Sequence, residues 1–343
     1  MIRVHLMGLP HRLRNHPLSH EATRSLVADQ VECVEDPAKA DIFMFAHPMD
    51  LQDAGPSLLR YLDTAPSTQV MLLSEEPLWD TTWQQAIERR EQSLEVEGRT
   101  IPFVYLNHWT STVFDFERVP YFLLTNHSFF PRYAVRFRRN AQLSASDWMR
   151  HFRSAKWRAV FMAEKRVSDK FATTHLDRAV RGLSVYRTQV AMGMRSAGVL
   201  RKGRGWGAKG YRRQDLVDWH LEKLVELDKQ CRMVSAIENT HQRNYVTEKI
   251  FDAFAVGAVP LYYSAPGHWI ERIIPHTGWL NLYGMTPDEA ADYLEHVVLD
   301  SSFAAGYVDA QRLLAERFST PAAFVQERRR LRHALLEELS ALF

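Results

Sequence analysis

Three side chains with complementary chemistry, Tyr245, Glu248 and Lys249, follow one another closely in the second half of the chain. The lysine ammonium can neutralise a diphosphate. An ionised glutamate only accepts hydrogen bonds and can hold two hydroxyls of a ribose or another sugar. Together these groups predict a nucleotide-binding site. Spacing alone does not assign the roles, because a solvated helix start that carries one acid and one base has the same pattern.

The elements that must position this cluster form a strand–loop–helix–strand unit. Met233–Ile237 predicts a strand, residues 238–244 form a polar loop, and Ile250 and Phe254 then begin the i, i+4 apolar pattern of a helix with one buried face. Val259–Tyr263 resumes as a strand. The loop and the helix N-terminus therefore lie where free backbone N–H groups and the helix dipole favour a phosphate.

A second candidate group is the pair Glu75 and Glu76, which follows the predicted strand Val70–Ser74 and precedes Pro77. A carboxylate there would lie at the carboxyl end of a parallel strand, where α/β proteins bind their ligands. Repulsion between two close carboxylates makes one of them a stronger base, which suits proton abstraction from a hydroxyl. The alternative is two solvated glutamates before a turn proline.

Short apolar strands alternate with helix-like segments from the N-terminus onward, which predicts an α/β fold with parallel sheets. A second alternating series follows the Arg-rich stretch 136–153. The sequence therefore predicts two Rossmann-like domains, residues 1–153 and 154–320, followed by an amphipathic helix over 321–343. Because ligands in such folds bind outside the carboxyl ends of the strands, we expect the functional site in a cleft between the domains.

The composition excludes several classes of protein. The 343 residues include 43 Lys+Arg and 41 Asp+Glu, and a net charge of +2 gives no general attraction to nucleic acid. Hydrophobic residues at 46% and charged residues at 24% exclude disordered and collagen-like chains. Cys33 and Cys231 have no partner at zinc-ligand spacing, and we find neither a membrane-spanning stretch nor a secretory signal. We therefore expect a cytoplasmic protein.

Three ordered segments, Ala236–Thr240, Asn244–Ile250 and Gly257–Pro260, resemble the signature of the α1,3/α1,4-fucosyltransferases, glycosyltransferase family 10. The resemblance is dense over this region and weaker elsewhere. It implies a GT-B fold, in which two Rossmann-like domains face each other across a cleft. It also implies that the C-terminal domain binds most of the donor, GDP-fucose.

The resemblance also implies which residues bind this donor. The family's tyrosine, glutamate and lysine carry over onto Tyr245, Glu248 and Lys249, and Glu238 and Asn239 follow from the same motif. In the family an upstream arginine assists the lysine on the diphosphate, where a guanidinium can bind two oxygens at once. The candidates for this arginine are Arg187, which is the best match, and three alternatives, Arg181, Arg195 and Arg204.

The mechanism that the resemblance implies is a single displacement with inversion. The segment Glu75-Glu76-Pro77 is similar to the family's Glu-Ser-Pro element, whose neighbourhood supplies the base, and Glu76 stands where the family has serine. Glu75 or Glu76 would take the proton from the acceptor hydroxyl, while Arg187 and Lys249 stabilise the departing GDP. Because the sequence contains no Asp-x-Asp triplet, we expect no cofactor and no required metal.

Residues at other predicted strand ends could contact the glycan acceptor. His47 follows the strand 41–46, and His108 and Trp109 follow the run 101–106. Such groups suit sugar faces and hydroxyls, although both histidines could instead be capped loop residues. The basic, glycine-rich segment 201–213 predicts a mobile loop over the donor. RNA binding and contact with a lipid phosphate are the alternatives, and no RRM, KH or OB signature accompanies the charge to favour RNA.

The C-terminal helix and the family context give the remaining expectations. A basic turn at 328–332 precedes leucines at helical spacing, so the helix either lies on a membrane surface or packs back across the domains. The resemblance, without the family's heptad repeats or Cys-x-x-Cys, implies a bacterial, cytosol-facing enzyme, peripheral on the inner membrane, that builds a surface glycan such as lipopolysaccharide. The alternatives are a transferase for another nucleotide sugar and an inactive nucleotide-sugar-binding module. The oligomeric state is not predicted.

Overall fold

The computed structural model describes residues 1–83, 86–207 and 216–343. The chain divides into two compact units, one comprising residues 1–127 and 324–343 and the other residues 128–323. The strands of the first unit are β1 Ile2–Met7, β2 Val31–Cys33, β3 Ile42–Phe45, β4 Gln69–Leu73, β5 Glu91–Val96 and β6 Arg99–Leu106. Its first five helices are α1 Pro10–Leu13, α2 Glu21–Val27, α3 Pro48–Thr64, α4 Pro77–Trp83 and α5 Tyr121–Leu124.

The second unit contains the remaining strands and most of the remaining helices. Its strands are β7 Trp157–Met162, β8 Thr174–His175, β9 Val180–Gly182, β10 Val199–Lys202, β11 Cys231–Ser235, β12 Thr240–His241, β13 Val259–Tyr262 and β14 Leu280–Asn281. Its helices are α6 Phe129–Asn140, α7 Ala145–Ser154, α8 Ser184–Gly193, α9 Trp219–Leu227, α10 Glu248–Ala255, α11 Pro287–His296 and α12 Ser301–Arg317. The last helix, α13 Ala322–Ser340, returns the chain to the first unit.

The first unit is built on a sheet with the strand order β2-β1-β3-β4-β6-β5. All neighbouring pairs are parallel except β5 and β6, which form an antiparallel hairpin at one edge. The residues of β3 are buried throughout, as expected for a parallel strand covered on both faces. Phe43, Phe45 and Leu72 from the sheet pack with Leu58 from α3 in one core cluster. This sheet brings the end of β4, and with it Glu75, to its carboxyl edge.

The second unit has a parallel sheet with the order β10-β7-β11-β13-β14 and a small antiparallel sheet with the order β12-β9-β8. The α/β fold predicted from the alternating pattern is confirmed by both units. Helix α10 is buried beyond the predicted face, because Asp252 and Ala253 are buried as well as Ile250, Phe251 and Phe254. The reason is that α10 contacts the sheet through β11 and β13 and contacts α6 as well.

The domain boundary differs from the expected position at 153. Residues 128–153 belong to the second unit, because α6 contacts α10 and α12, and α7 contacts α12 and β11. The Asn140 amide shows the connection, since its Nδ2 donates to the carbonyl oxygens of Phe254 at 2.9 Å and Ala255 at 3.1 Å. The hydropathy pattern did not reveal that residues 128–153 pack with the second unit, because Asn140 and its partners are more than a hundred residues apart in the chain. The cleft between the units stays a prediction.

Helix α13 packs against the first unit. The Glu327 carboxylate accepts hydrogen bonds from three backbone N–H groups at residues 117–119, and Arg332 forms an ion pair with Asp29 at 2.9 Å. Leu331 and Leu335 are buried. In the structure the basic turn and the leucines of α13 therefore make contacts within the first unit. Contact of this helix with a membrane stays a prediction. Within the three described ranges, no helix is both long and apolar enough to cross a membrane.

Candidate functional site

The N-terminus of α10 is the centre of a hydrogen-bonded cluster in the second unit. Thr247 is the N-cap residue of this helix, and its backbone N–H donates to Glu238 Oε1 at 2.9 Å. The Thr247 hydroxyl contacts both oxygens of the same carboxylate, at 2.8 and 2.9 Å. Lys249 Nζ lies 2.8 Å from Glu238 Oε2 and 2.8 Å from Thr247 Oγ1. The loop after β11 is therefore folded back onto the helix start.

Lys249 keeps its positive charge in this environment. Burial by itself lowers the pKa of a lysine, but the carboxylates of Glu238 and Glu248 outweigh it and raise the pKa of Lys249 above its ordinary value. Glu248 Oε1 lies 3.7 Å from the ammonium, and 22% of the Lys249 side chain is exposed. An ammonium that is held by carboxylates and still reaches solvent can bind an incoming anion.

Arg187 is the second cation of this cluster. It lies on α8, where it is 9% exposed, and its guanidinium donates to the carbonyl oxygen of Ile237 at 3.4 Å. Its charge acts on Lys249 and opposes the raised lysine pKa. The structure therefore brings Arg187 and Lys249 to one loop, which supports Arg187 as the arginine of the predicted donor site. Arg187 and Lys249 can each donate a charged hydrogen bond to an anion, while Glu238 and Glu248 offset their charge.

The three alternatives to Arg187 have other surroundings. The Arg181 guanidinium donates to the Tyr263 hydroxyl at 2.9 Å. Arg195 is exposed, beyond the end of α8. Arg204 follows β10 at the carboxyl edge of the sheet, with 71% of its side chain exposed and its guanidinium 4.0 Å from Glu164. A donor role for Arg204 stays a prediction, and the segment 201–213 in which it lies includes residues 208–213, which are outside the described residues.

The Asn239 backbone links the motif loop to the helix that carries Arg187. Its carbonyl oxygen accepts a hydrogen bond from the Leu183 N–H at 2.7 Å, directly before α8. The next residue, Thr240, pairs with Gly182 in the small antiparallel sheet. A Cβ atom at Gly182 would lie 2.6 Å from the Phe171 carbonyl oxygen, so no larger residue fits without a backbone shift. These contacts position Arg187 relative to the 236–247 loop.

Tyr245 and Thr247 show where sequence reasoning was incomplete. Tyr245 was predicted to contact the donor, and the structure buries it in the loop with 1% of its surface exposed. Its role toward a ligand stays a prediction. Thr247 was not singled out, although it joins Glu238 to the helix start. A threonine directly before Glu-Lys at a helix start is a recognisable N-cap signal and could have identified it.

Glu75 is the centre of a second cluster, which lies in the first unit. It follows β4 and is 4% exposed. Its Oε2 accepts hydrogen bonds from the Tyr121 hydroxyl at 2.8 Å and from His20 Nε2 at 3.0 Å. The carboxylate therefore meets two donors, where the sequence suggested repulsion from Glu76. Neither His20 nor Tyr121 was predicted, because each is remote from Glu75 along the chain.

Asp80 is a further buried acid near this position. It lies on α4 with 3% of its surface exposed, and burial raises its pKa to about 7. The nearby hydroxyls of Ser74 and Tyr105 oppose this shift, and the charge of Glu76 adds to it. Glu76 thus acts electrostatically on Asp80, an interaction that the local sequence did not suggest.

The three predicted acceptor residues fall into two groups. His47 caps α3 through its Nδ1, which accepts from the Met49 N–H at 3.1 Å, and burial lowers its pKa to about 4. His108 donates from Nε2 to the Glu75 carbonyl oxygen at 3.1 Å and stacks on Phe114. Both histidines are buried in these contacts, and their acceptor role stays a prediction. Trp109 is 47% exposed, and its acceptor role stays a prediction.

The described part of the chain contains no group of three or more His, Cys, Asp or Glu side chains that could hold a metal ion. Whether catalysis needs a metal stays open to measurement.

A family model matches the part of the chain that contains the N-terminus of α10. Residues 204–320 match the family model described as Glycosyltransferase family 10 (fucosyltransferase) C-term. The resemblance to family 10 is confirmed. The matched residues contain both Glu238 and Lys249 and lie within the second unit.

Curated relatives and solved structures extend this comparison. The 4-galactosyl-N-acetylglucosaminide 3-alpha-L-fucosyltransferase 9 proteins of Mus musculus and Homo sapiens are each 26% identical over 87 residues, which is 25% of this chain and 24% of theirs. The match thus spans about a quarter of the length of these relatives. A crystal structure of an alpha1,3-fucosyltransferase with GDP-fucose is 14% identical with a TM-score of 0.44, covering 90% of this chain and 81% of that one.

Proposed function

We propose that the chain is an inverting glycosyltransferase that moves L-fucose from GDP-fucose to a hydroxyl of a glycan acceptor. The observation that carries this proposal is the placement of Arg187 and Lys249 at one loop and helix start, which lie within the residues that match the family 10 model. Two cations and a helix N-terminus are suited to bind a nucleoside diphosphate. The similarity to family 10 is the reason for proposing fucose as the transferred sugar.

Each side chain of the donor site has a role in this proposal. Lys249 and Arg187 bind the diphosphate, and Arg187 can contact two oxygens with one planar group. Glu248 accepts hydrogen bonds from the hydroxyls of the ribose or the sugar. Glu238 holds the Lys249 ammonium at 2.8 Å. These contacts stabilise the negative charge that develops on the leaving diphosphate.

Glu75 is the proposed base. It takes the proton of the acceptor hydroxyl while the hydroxyl oxygen forms a bond to the anomeric carbon of fucose. The bond from this carbon to the phosphate oxygen breaks, and GDP leaves with the electron pair. The configuration at the anomeric carbon inverts because the displacement is single. We propose that this reaction requires no metal, with Arg187 and Lys249 supplying the positive charge.

The acceptor is proposed to be a glycan of the kind on which the relatives act. Their name specifies 3-alpha-fucosylation of a 4-galactosyl-N-acetylglucosaminide, so this disaccharide is the first acceptor to test. We further propose a bacterial, cytosol-facing enzyme of surface-glycan synthesis such as lipopolysaccharide assembly. The absence of Cys-x-x-Cys and of heptad repeats from the sequence supports this setting.

Nucleotide titration tests the donor site directly. We expect isothermal calorimetry to give tighter binding for GDP than for UDP or dTDP, and weaker GDP binding in Lys249→Ala. Tighter binding of UDP or dTDP would overturn the fucosyl donor in favour of another nucleotide sugar.

A transfer assay tests the reaction. GDP-fucose is supplied with the 4-galactosyl-N-acetylglucosaminide and a panel of bacterial glycans, and release of GDP and the fucosylated product are both measured. We expect turnover in the wild type and its loss in Glu75→Gln. GDP binding without turnover on any acceptor would instead support an inactive binding module.

A further inference from the structure

Among the described residues, the hydrogen bonds to the Glu75 carboxylate all go to one of its oxygens. Between described residues, Oε2 accepts from the Tyr121 hydroxyl at 2.8 Å and from His20 Nε2 at 3.0 Å. Tyr121 is 1% exposed, Glu75 is 4% exposed, and 20% of the His20 side chain is exposed. Two donors on the same oxygen occupy its lone pairs and distinguish it from Oε1.

Both donors are held by their own elements. His20 is the N-cap residue of α2, and its carbonyl oxygen accepts from the N–H groups of Thr23 at 3.0 Å and Arg24 at 2.9 Å. Tyr121 is the first residue of α5, and its ring contacts Phe114 edge-on with centroids 5.0 Å apart. The donors therefore keep their places without a contribution from Glu75.

The Glu75 backbone is held as well. His108 Nε2 donates to its carbonyl oxygen at 3.1 Å, and the His108 ring stacks on Phe114 with centroids 4.3 Å apart. Phe114 thus contacts the rings of both His108 and Tyr121. Backbone and carboxylate are fixed by one packed group of side chains, which restricts the rotation of the Glu75 side chain.

We propose that His20 and Tyr121 are positioning residues that bind Glu75 Oε2, so that Oε1 is the oxygen that takes the proton from the acceptor hydroxyl. This inference rests on the proposed function of Glu75 as the base. The proton of the acceptor hydroxyl moves to Oε1 while the hydroxyl oxygen forms a bond to the anomeric carbon. The bond between the anomeric carbon and the phosphate oxygen breaks, and GDP leaves with the electron pair. His20 and Tyr121 keep their protons throughout.

The charges around the carboxylate agree with these roles. Burial by itself lowers the pKa of His20, but Glu75 outweighs it and raises that pKa above the ordinary value. Burial, together with Glu75, raises the pKa of Tyr121 well above its ordinary value, so the phenol remains a donor. His16, the neighbour of His20, is neutral because burial lowers its pKa to about 3. Two further titratable groups lie near Glu75, His108 on the backbone side and Glu76 next in the chain.

The first experiment compares His20→Ala, His20→Gln and Tyr121→Phe in the transfer assay. Because a misplaced base lowers the rate of chemistry, we expect kcat to fall by about 10–100-fold in His20→Ala, with the GDP dissociation constant unchanged. The acid limb of the kcat profile should move to higher pH, since a carboxylate that has lost a donor is protonated more easily. His20→Gln, whose amide can still donate, should recover part of kcat.

The second experiment does not depend on activity. The imidazole of His20 is titrated by NMR in the wild type and in Glu75→Gln. We expect its pKa to drop below the ordinary histidine value in the variant, because burial then acts without the carboxylate. Equal His20 titration in the two proteins would overturn the contact.

The outcomes separate this inference from the proposed function. If the wild type transfers no fucose on any acceptor, the proposed function fails, whatever His20 does in the NMR titration. If the wild type turns over and folded His20→Ala retains its kcat and pH profile, the positioning role fails while the function stands. Circular dichroism of each variant confirms that it is folded, and Tyr121→Phe, which keeps the ring and its packing, provides the second variant.

Discussion

Lys249 and Glu238 form an ion pair of 2.8 Å at the first turn of α10. The carboxylate is buried, whereas 22% of the lysine side chain is exposed. Glu238 therefore holds the ammonium from the protein side, and the open side of the lysine remains available to an anion. The pair is held by the Thr247 N-cap as well, so a ligand that binds Lys249 meets a group that is already in place.

Removal of Lys249 should affect stability and binding separately. Lys249→Met leaves a buried carboxylate without its cation, which should lower the free energy of unfolding by about 3 kcal/mol. The double variant Glu238→Gln/Lys249→Met removes both charges and should regain most of that stability. GDP affinity should fall by about 10–100-fold in both, because a charged hydrogen bond to the diphosphate is lost. Urea unfolding and calorimetry measure the two quantities, and wild-type GDP affinity in the double variant would contradict the donor site.

Replacement of Arg187 by lysine should weaken GDP binding. Arg187→Lys keeps the charge but loses the planar pair of donors, so we expect GDP to bind about tenfold more weakly. Arg195→Lys is the matched control, since Arg195 is exposed and follows the same helix, and it should bind GDP as the wild type does. If the control loses affinity and Arg187→Lys retains it, the assignment between these two arginines is reversed.

Asp252 should stabilise the second unit at neutral pH. Burial by itself raises the pKa of this carboxyl, but Lys223 at 2.9 Å and His220 at 2.8 Å outweigh it and hold the pKa well below its ordinary value. A carboxyl whose pKa is lowered by folding stabilises the protein when the pH is above its unfolded-state pKa of about 4. This stability is lost as the pH falls through the folded-state pKa. Asp252→Asn should therefore lower the free energy of unfolding at pH 7 by about 3 kcal/mol and reduce its acid dependence.

The control for Asp252 is Asp309→Asn, which changes an exposed acid on α12. Urea unfolding of the three proteins at several pH values measures the difference. Equal pH dependence in Asp252→Asn and the wild type would show that the ion pairs with Lys223 and His220 contribute no net stability.

Asp80 should have the opposite pH dependence. Burial raises its pKa to about 7, so the folded state binds this proton more tightly than the unfolded state does. This preference stabilises the protein fully when the pH is below the unfolded-state pKa of about 4. As the pH rises through the folded-state pKa, the free energy of unfolding falls by up to about 4 kcal/mol. Asp80→Asn, which is neutral at all pH values, should be more stable than the wild type at pH 8 and similar to it near pH 4. A variant that is less stable than the wild type at pH 8 would exclude a raised pKa.

Divalent metal should be dispensable if Arg187 and Lys249 supply the charge on the diphosphate. We expect turnover to continue in excess EDTA, with added Mn²⁺ or Mg²⁺ changing the rate less than twofold. Activity that is lost in EDTA and restored by either ion would contradict the metal-independent mechanism. The nucleotide titrations, repeated in EDTA, show whether any such dependence concerns binding or chemistry.

The strand–loop–helix–strand unit around Lys249 was predictable because its parts are neighbours in the chain. A strand, a polar loop, a helix and a strand follow one another from Cys231 to Tyr262, and each has a local signal in apolar spacing or in glycine and proline positions. The location of Glu75 after β4 was predictable for the same reason, since the end of a parallel strand is recognisable from the apolar run that precedes it. Local chemistry also identified Lys249 and Glu238.

The sequence by itself determined an α/β chain with a family 10 motif and placed its main charged groups at a strand end and a helix start. Only the tertiary structure decided that Arg187 donates to the Ile237 carbonyl oxygen and that His20 and Tyr121, 55 and 46 residues from Glu75, hold its carboxylate. It also decided that residues 128–153 pack with the second unit and that α13 returns to the first. The physical reason is that hydropathy and capping act between near neighbours. Hydrogen bonds and packing between distant segments depend on where the folded backbone brings them.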